Sequence, residues 1–445
     1  MNKIIIVSLI AVIIAGCRKN EVALVNGGLP EERMAARLTE LRSKLTGAEN
    51  GWVASLTTSG GGGYGFFMRF GADEKVIMMG DLDEDAATEP QTSTYRIKWV
   101  MNASLIFDTY NYITLLQDPV PGSYGGKAGS GYKSDIEFEY IRSTGDSVIL
   151  RGKKYRNYLY LVKATAAEAT AYQQGTLLDM MEETGDYFDT HFNNYINVAG
   201  IANKVAFVPN GEDKQVSFQY ADAKDSIITV NGKFNFDLNG IGFADDFIVN
   251  GIKFKNGILT GNTLKLYDDK GKEYSVSQNA TPVIPLKLLF AYNKTYNTIL
   301  ISGRQLPADV SSGFNSVFDD MVTRFINASP TRPIDSVRII LQNSTQGMVE
   351  IRYKSGSTSY QAALSFNYVL ENDVLTLSDY TPVTNGTGSN WTSRITQIGD
   401  FEEWIRSGPF KIDWVASTAS GGQSLGGLYR VSDPGSFFYG QLRKR

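Results

Sequence analysis

The spacing of apolar positions takes three forms along the chain, and each form predicts a different kind of element. Ile4 to Ala15 is a nearly unbroken run of Ile, Val, Leu and Ala, interrupted only by Ser8. Met34, Leu38, Leu41 and Leu45 then recur at helical spacing with charged residues between them. That spacing predicts a helix opened by Pro30 and stopped by Gly47. From Trp52 onward the pattern shortens to β-rich runs. These are Trp52 to Thr58, Tyr64 to Phe70, Lys75 to Met79, Tyr95 to Val100, Ser104 to Phe107, Asp135 to Ile141, Ser147 to Leu150 and Tyr158 to Lys163. Short strands at this spacing, parted by Gly-rich or charged turns, predict antiparallel sheet.

Thr165 and Glu168 form a capping box, which predicts a helix to about Glu183, weakened by Gly175. Strands resume at Val205 to Pro209, Gln215 to Tyr220, Ser226 to Val230 and Lys233 to Leu238. Asp268 to Gly271 reads as the turn of a hairpin between Leu264–Tyr267 and Glu273–Val276. In the last third, Phe314, Phe318, Met321, Val322 and Phe325 mark one helix face. Ile395, Ile398, Phe401, Trp404 and Ile405 mark another, in a helix from Trp391 to Arg406 ended by Gly408-Pro409. Strands at Ser336–Gln342, Met348–Tyr353, Ser359–Phe366, Asp373–Leu377, Phe410–Ala416, Gly427–Val431 and Ser436–Leu442 complete the pattern. The first and last thirds share an order of helix, meander and helix, which suggests a distant duplication without a residue-level repeat.

The expected fold is mainly β with a few helices (α+β), built as antiparallel β-sandwich or meander modules joined by short helices. The expected segments are a signal peptide at 1–16, a tether at 17–28, an N-terminal β-rich domain at 29–165, a middle β-rich domain at 166–290 and a C-terminal α+β domain at 291–445. Three domains suit the chain length at roughly 150 residues each.

The first apolar run is too short to span a bilayer, which takes roughly 20 residues. It follows Lys3 and leads through Ala15 and Gly16 into Cys17, the one cysteine of the chain. This layout predicts a secretory signal cut before a cysteine that receives lipid. Two or three acyl chains such as palmitate, at about 0.8 kcal/mol per buried CH₂, would hold the protein durably to a membrane. The expected address is the cell envelope: an outer-membrane lipoprotein exposed at the cell surface.

Composition narrows the partners. There are 43 Lys and Arg against 47 Asp and Glu, with no dense basic run, so no nucleic-acid partner is expected. Without a cysteine pair the core must come from burial alone, and 42% hydrophobic residues with 24 Tyr and 23 Phe supply it.

Candidate chemistry is sparse. His191 is the single histidine and lies just past a helix among aromatics, where packing explains it better than a Ser-His-Asp triad. No Gly-x-Ser-x-Gly elbow supports a serine hydrolase. Asp81, Asp83 and Asp85 look at first like a calcium loop, but Ala86 and Thr92 stand where an EF-hand needs Gly and Glu. A solvated acidic turn is the simpler reading, with non-EF Ca2+ binding as the alternative, and no cofactor is otherwise expected. Gly60 to Gly63 reads as a flexible hairpin loop. In Pro121 to Gly131, Tyr124 and Tyr132 flank permissive glycines and could stack on a ligand. Among the tryptophans, Trp52, Trp99, Trp404 and Trp414 read as core. Trp391 follows the polar stretch Thr384 to Asn390 and is the candidate for exposure. Tyr124, Tyr132 and Trp391 are therefore the candidate binding residues. A pair among the 47 acids leaves a carboxylate-dependent glycan hydrolase open.

Three stretches carry a family resemblance. They are Gly51-Trp52 with Tyr64 to Phe70; Thr94-Tyr95 through Leu105 to Asn111 and Asp118-Pro119; and Asp135 to Phe138 with Ser147 to Lys153. Phe410 to Trp414 and Asp433-Pro434 fit the same pattern. This order resembles a family of lipoproteins with a domain of unknown function that accompany SusC/SusD-type outer-membrane nutrient uptake systems. The resemblance implies a non-catalytic accessory that binds a glycan, peptide or similar nutrient for such a complex, and it carries over no functional residues. A surface hydrolase and a structural or adhesive envelope protein are the alternatives.

Overall fold

The computed structural model describes residues 29–244, 247–383, 387–417 and 424–445. The signal peptide, Cys17 and the tether lie outside the described residues. Among those described, no helix is long and apolar enough to cross a membrane.

The helix Pro30–Thr46 forms as its spacing predicts and turns Leu41 and Leu45 into the core beside it. Eight strands follow, from Trp52–Thr57 to Tyr158–Lys163, each pairing antiparallel with the next. The last pairs back on the first, Trp52 opposite Lys163 and Leu56 opposite Leu159. The meander therefore closes into a barrel. The expected sandwich is replaced because closure gives both terminal strands a partner and leaves no open edge. Trp52, Phe66, Tyr95, Phe138 and Tyr140 fill the interior.

The helix expected from Thr165 to about Glu183 is two helices, Ala166–Gln173 and Thr176–Thr190. They are parted at Gly175, whose φ of 84° is left-handed. A ten-stranded antiparallel sheet follows. Its strand Ile227–Asp237 runs through what reads in sequence as two strands. Gly240–Phe243 and Ile252–Thr260 are strands that the alternation did not mark. Glu273–Ser275 ends the sheet on one side, whereas Ser277–Gln278 ends it on the other by pairing with Asn194–Ile196. Only Val276 separates these edge strands, so the sheet curls until its edges meet. Phe207, Phe218, Phe234, Phe247 and Phe254 lie in its core.

The last module is a second closed eight-stranded meander, from Thr298–Ser302 to Asp433–Arg443. Its helices sit differently from those of the first. Phe314–Ala328 follows the opening strand, and Thr387–Ser393 and Ile395–Arg406 interrupt the barrel before Phe410–Val415. The two ends of the chain share a barrel but not the expected helix order, because Thr298–Ser302 precedes the helix. Phe314 packs on Trp404 at 4.8 Å and on Phe438 at 5.3 Å between ring centroids.

Candidate functional site

The first barrel and the middle sheet meet along a strand-on-strand seam. Gly63 and Gly65 fall on one face of the strand Gly63–Phe70. A Cβ at Gly63 would lie 2.6 Å from the carbonyl oxygen of Phe234, and one at Gly65 2.7 Å from that of Phe236. Only glycine allows the two backbones to come this close. Gly60 N–H donates to the Tyr132 carbonyl at 2.8 Å. The stretch that reads in sequence as a flexible loop is thus pinned at a junction.

Beside the glycines lies a buried ion pair. Asp81 is fully buried, and its Oδ1 accepts from Lys214 Nζ at 2.8 Å and from Gly65 N–H at 2.9 Å. Its Oδ2 accepts from Phe236 N–H at 2.8 Å. Lys214 also donates to the Asp81 carbonyl and sits 4.6 Å above the Tyr64 ring. Burial drives the Asp81 pKa up, against the pull of Lys214. It drives the Lys214 pKa down, against the pull of Asp81.

The expected solvated acidic turn is corrected at Asp81 by this arrangement. Asp81 is neither solvated nor grouped with its neighbours, since an ammonium and two backbone donors saturate it. Asp83 instead caps the helix Glu84–Thr88, accepting from Ala86 N–H at 2.8 Å, and Asp85 is exposed in its first turn. No three His, Cys, Asp or Glu side chains among the described residues cluster as metal ligands.

Tyr124 and Tyr132 come together, 5.8 Å apart, and both pack on Tyr64 at 6.5 and 6.2 Å. The Tyr124 hydroxyl donates to the Leu82 carbonyl at 2.8 Å, and burial raises its pKa. They are half-buried and close over the seam, so neither offers an open stacking face. Trp391 is corrected outright: it is 1% exposed, and its Nε1 donates to Glu402 at 2.7 Å. The helix Thr387–Ser393 that carries it packs on the barrel strand Thr358–Glu371. Trp99, expected in the core, is 40% exposed.

An open groove runs outside the seam. One wall is the first barrel, where Leu159 and Leu161 point inward and Tyr158 and Tyr160 outward. The two tyrosines stack at 5.7 Å with 22° between their planes, and Tyr158 is 38% exposed. The other wall brings Phe234, Asn235 and Phe243 from the middle sheet, around a space of about 210 Å³. Tyr158 also borders two neighbouring hollows. One of about 510 Å³ is rimmed by Ser59, Asn157, Gln215 and Asn231; one of about 560 Å³ reaches Arg142 and Lys253. The rim is held from behind: Ser59 donates to Asn157 at 2.9 Å, and Asn157 donates to the Lys133 carbonyl at 2.9 Å. Stacked rings beside amide and hydroxyl side chains suit a ligand with flat apolar faces and polar edges. The spacing of Tyr158 and Tyr160, two residues apart on a strand whose alternate residues are Leu, was the sequence signal for this wall.

His191 ends the helix Thr176–Thr190 and stacks on Tyr187 at 4.1 Å; its Nδ1 lies 3.1 Å from the Tyr187 carbonyl and 3.0 Å from Thr190 Oγ1. Two further buried carboxylates are bound up in turns. Asp135 accepts from Lys154 and Tyr155 N–H, and Asp268 from Lys270 and Lys272 N–H.

The profile of a family described as a domain of unknown function (DUF4302) matches residues 28–260, a span that contains the seam and both walls of the groove. No curated protein matches the sequence. Among solved structures, a mutant of the vaccine antigen transferrin-binding protein B from Haemophilus parasuis aligns at 9% identity over 86% of this chain and 66% of that one. Its TM-score of 0.14 is too low to carry an argument about fold or function.

Proposed function

The chain belongs to the DUF4302 family, and on that premise we propose that it is a lipid-anchored cell-envelope protein that captures a nutrient without transforming it. Cys17 is the anchor, the outer membrane is the address, and an uptake complex of the SusC/SusD type is the recipient. The ligand is a glycan or a peptide, held in the groove between the first barrel and the middle sheet. The observation that carries this reading is the Tyr158–Tyr160 stack, whose exposed Tyr158 ring borders an amide-rich rim. Sugar rings and peptide groups both present a flat face to such a stack and hydrogen-bonding edges to such a rim.

The test is calorimetric titration of the whole chain in detergent with panels of oligosaccharides and peptides. One panel is expected to bind, and Tyr158→Ala to weaken it about tenfold by loss of the stacking face. The melting temperature should stay put, because the ring lies on an outer face. No binding by either panel, or full affinity in Tyr158→Ala, would overturn the proposal. Release of shortened product would replace it with the hydrolase reading.

A further inference from the structure

We infer that the outer face of the C-terminal barrel carries a second binding site, for the oxyanion group of a small soluble ligand, a carboxylate or a sulfate. It uses residues far from the groove in sequence and stands whether or not the groove binds a nutrient. Two rows of side chains cross the strands here. Ser302, Ser336, Arg352 and Gln361 are in register, as are Leu300, Arg338, Glu350 and Ala363. Val337 and Ile339 point into the core, so Ser336 and Arg338 face outward. A bulge at Asp335 bends the strand at this point. Ser302, Ser336, Arg338, Arg352 and Gln361 border an open hollow of about 480 Å³, which Asp335 and Ser359 also line.

Two features point to an anion. The first is charge. Glu350 is fully buried and faces three guanidiniums: Arg352 at 2.7 Å, Arg445 at 3.0 Å and Arg338 at 3.3 Å. Arg338 and Arg352 also border the hollow, with Asp335 at its rim. Burial, then the neighbouring Arg352, lowers the Arg338 pKa. Burial pushes Glu350 up, but Arg445 and Arg352 outweigh it and hold its pKa below the usual range. The second is unmet hydrogen bonding. Gln361 and the arginines saturate Glu350, whereas Arg338 Nε is a buried donor without an acceptor. Ser336, 5% exposed, has a hydroxyl with no partner at all. Buried donors left unmet in this way are uncommon. Two of them two residues apart on one strand face, beside the guanidiniums, offer donors to the oxygens of a carboxylate or sulfate.

The test titrates the whole chain in detergent, at low ionic strength, with sodium glucuronate and with sodium sulfate, using glucose as the neutral control. Saturable binding of an anion but not of glucose is expected, and whichever anion binds identifies the source of the oxyanion. Ser336→Ala removes only an unpartnered hydroxyl, so it should fold normally and bind about fivefold more weakly. Arg338→Lys keeps the charge but lacks the Nε donor, and should bind about tenfold more weakly. Loss of affinity in either variant supports the site. No saturable binding of either anion, or unchanged affinity in both variants, overturns it.

Discussion

Replacing Asp81 should uncouple the first barrel from the middle sheet. In Asp81→Ala the Lys214 ammonium, 6% exposed, loses its counter-charge, and breaking a buried pair from one side costs about 3–5 kcal/mol. Gly65 and Phe236 N–H also lose their acceptor, at about 1–3 kcal/mol each if they find no other. The lowered Lys214 pKa works the other way, since the amine can shed its proton. A net loss of about 4 kcal/mol or more follows, which is a large share of the ~5–15 kcal/mol that holds an ordinary domain together. The assay is urea unfolding followed by two probes. Hydrogen exchange at the strand Trp52–Thr57 reports the first barrel, and exchange at the strand Ile227–Asp237 reports the middle sheet. The wild type should lose both together, and Asp81→Ala should lose them separately at lower urea. A double-mutant cycle with Lys214→Met isolates the pair and should return a coupling of about 2 kcal/mol or more. Coincident transitions in Asp81→Ala, or a coupling below about 0.5 kcal/mol, would refute the reasoning.

Other tests address separate parts of the molecule. Gly65→Ala should lower the same two transitions by more than about 2 kcal/mol, through overpacking against the Phe236 carbonyl; differential scanning calorimetry reads this directly, with the C-terminal barrel as internal control. Burial raises the Asp237 pKa to about 6. The folded state therefore holds this proton more tightly than the unfolded chain, and the resulting stability is present below about pH 4 and lost as the pH rises through 6. Asp237→Asn should flatten that part of the stability–pH curve, by up to about 3 kcal/mol. Cys17→Ser should abolish incorporation of labelled palmitate and move the protein out of the membrane fraction.

Local pattern made the strands and most helices legible, because alternation and helical spacing are properties of neighbouring residues. Closure was not legible. The pairing of Trp52–Thr57 with Tyr158–Lys163 joins segments about a hundred residues apart, and nothing within either strand distinguishes a barrel edge from a sandwich edge. Gly240–Phe243 escaped because half of it is glycine, and Ile252–Thr260 because Asn256 and Gly257, beside a bulge, break the alternation that Ile252 to Lys255 begins. Asp81 read as an acidic turn because its sequence neighbours are Asp83, Glu84 and Asp85, whereas the residue that matters to it is Lys214. Trp391 misled in the same way: the polar stretch before it suggested solvent, but the acceptor for its N–H is Glu402, one helix later. Glycines at 63 and 65, two apart in an otherwise bulky strand, were a usable sign of close backbone approach.

The glycine seam bears on how such a protein can diversify. The distance between the groove's walls is set by main chain lying on main chain, not by the side chains that line the opening. Substitutions at Tyr158, Tyr160, Phe243 or Asn231 can therefore change what fits without altering the gauge of the slot. The seam itself has no such latitude, because every side chain larger than hydrogen at Gly63 or Gly65 acts as a spacer. If the groove binds as proposed, recognition can drift in small steps while the frame that presents it changes only by a jump.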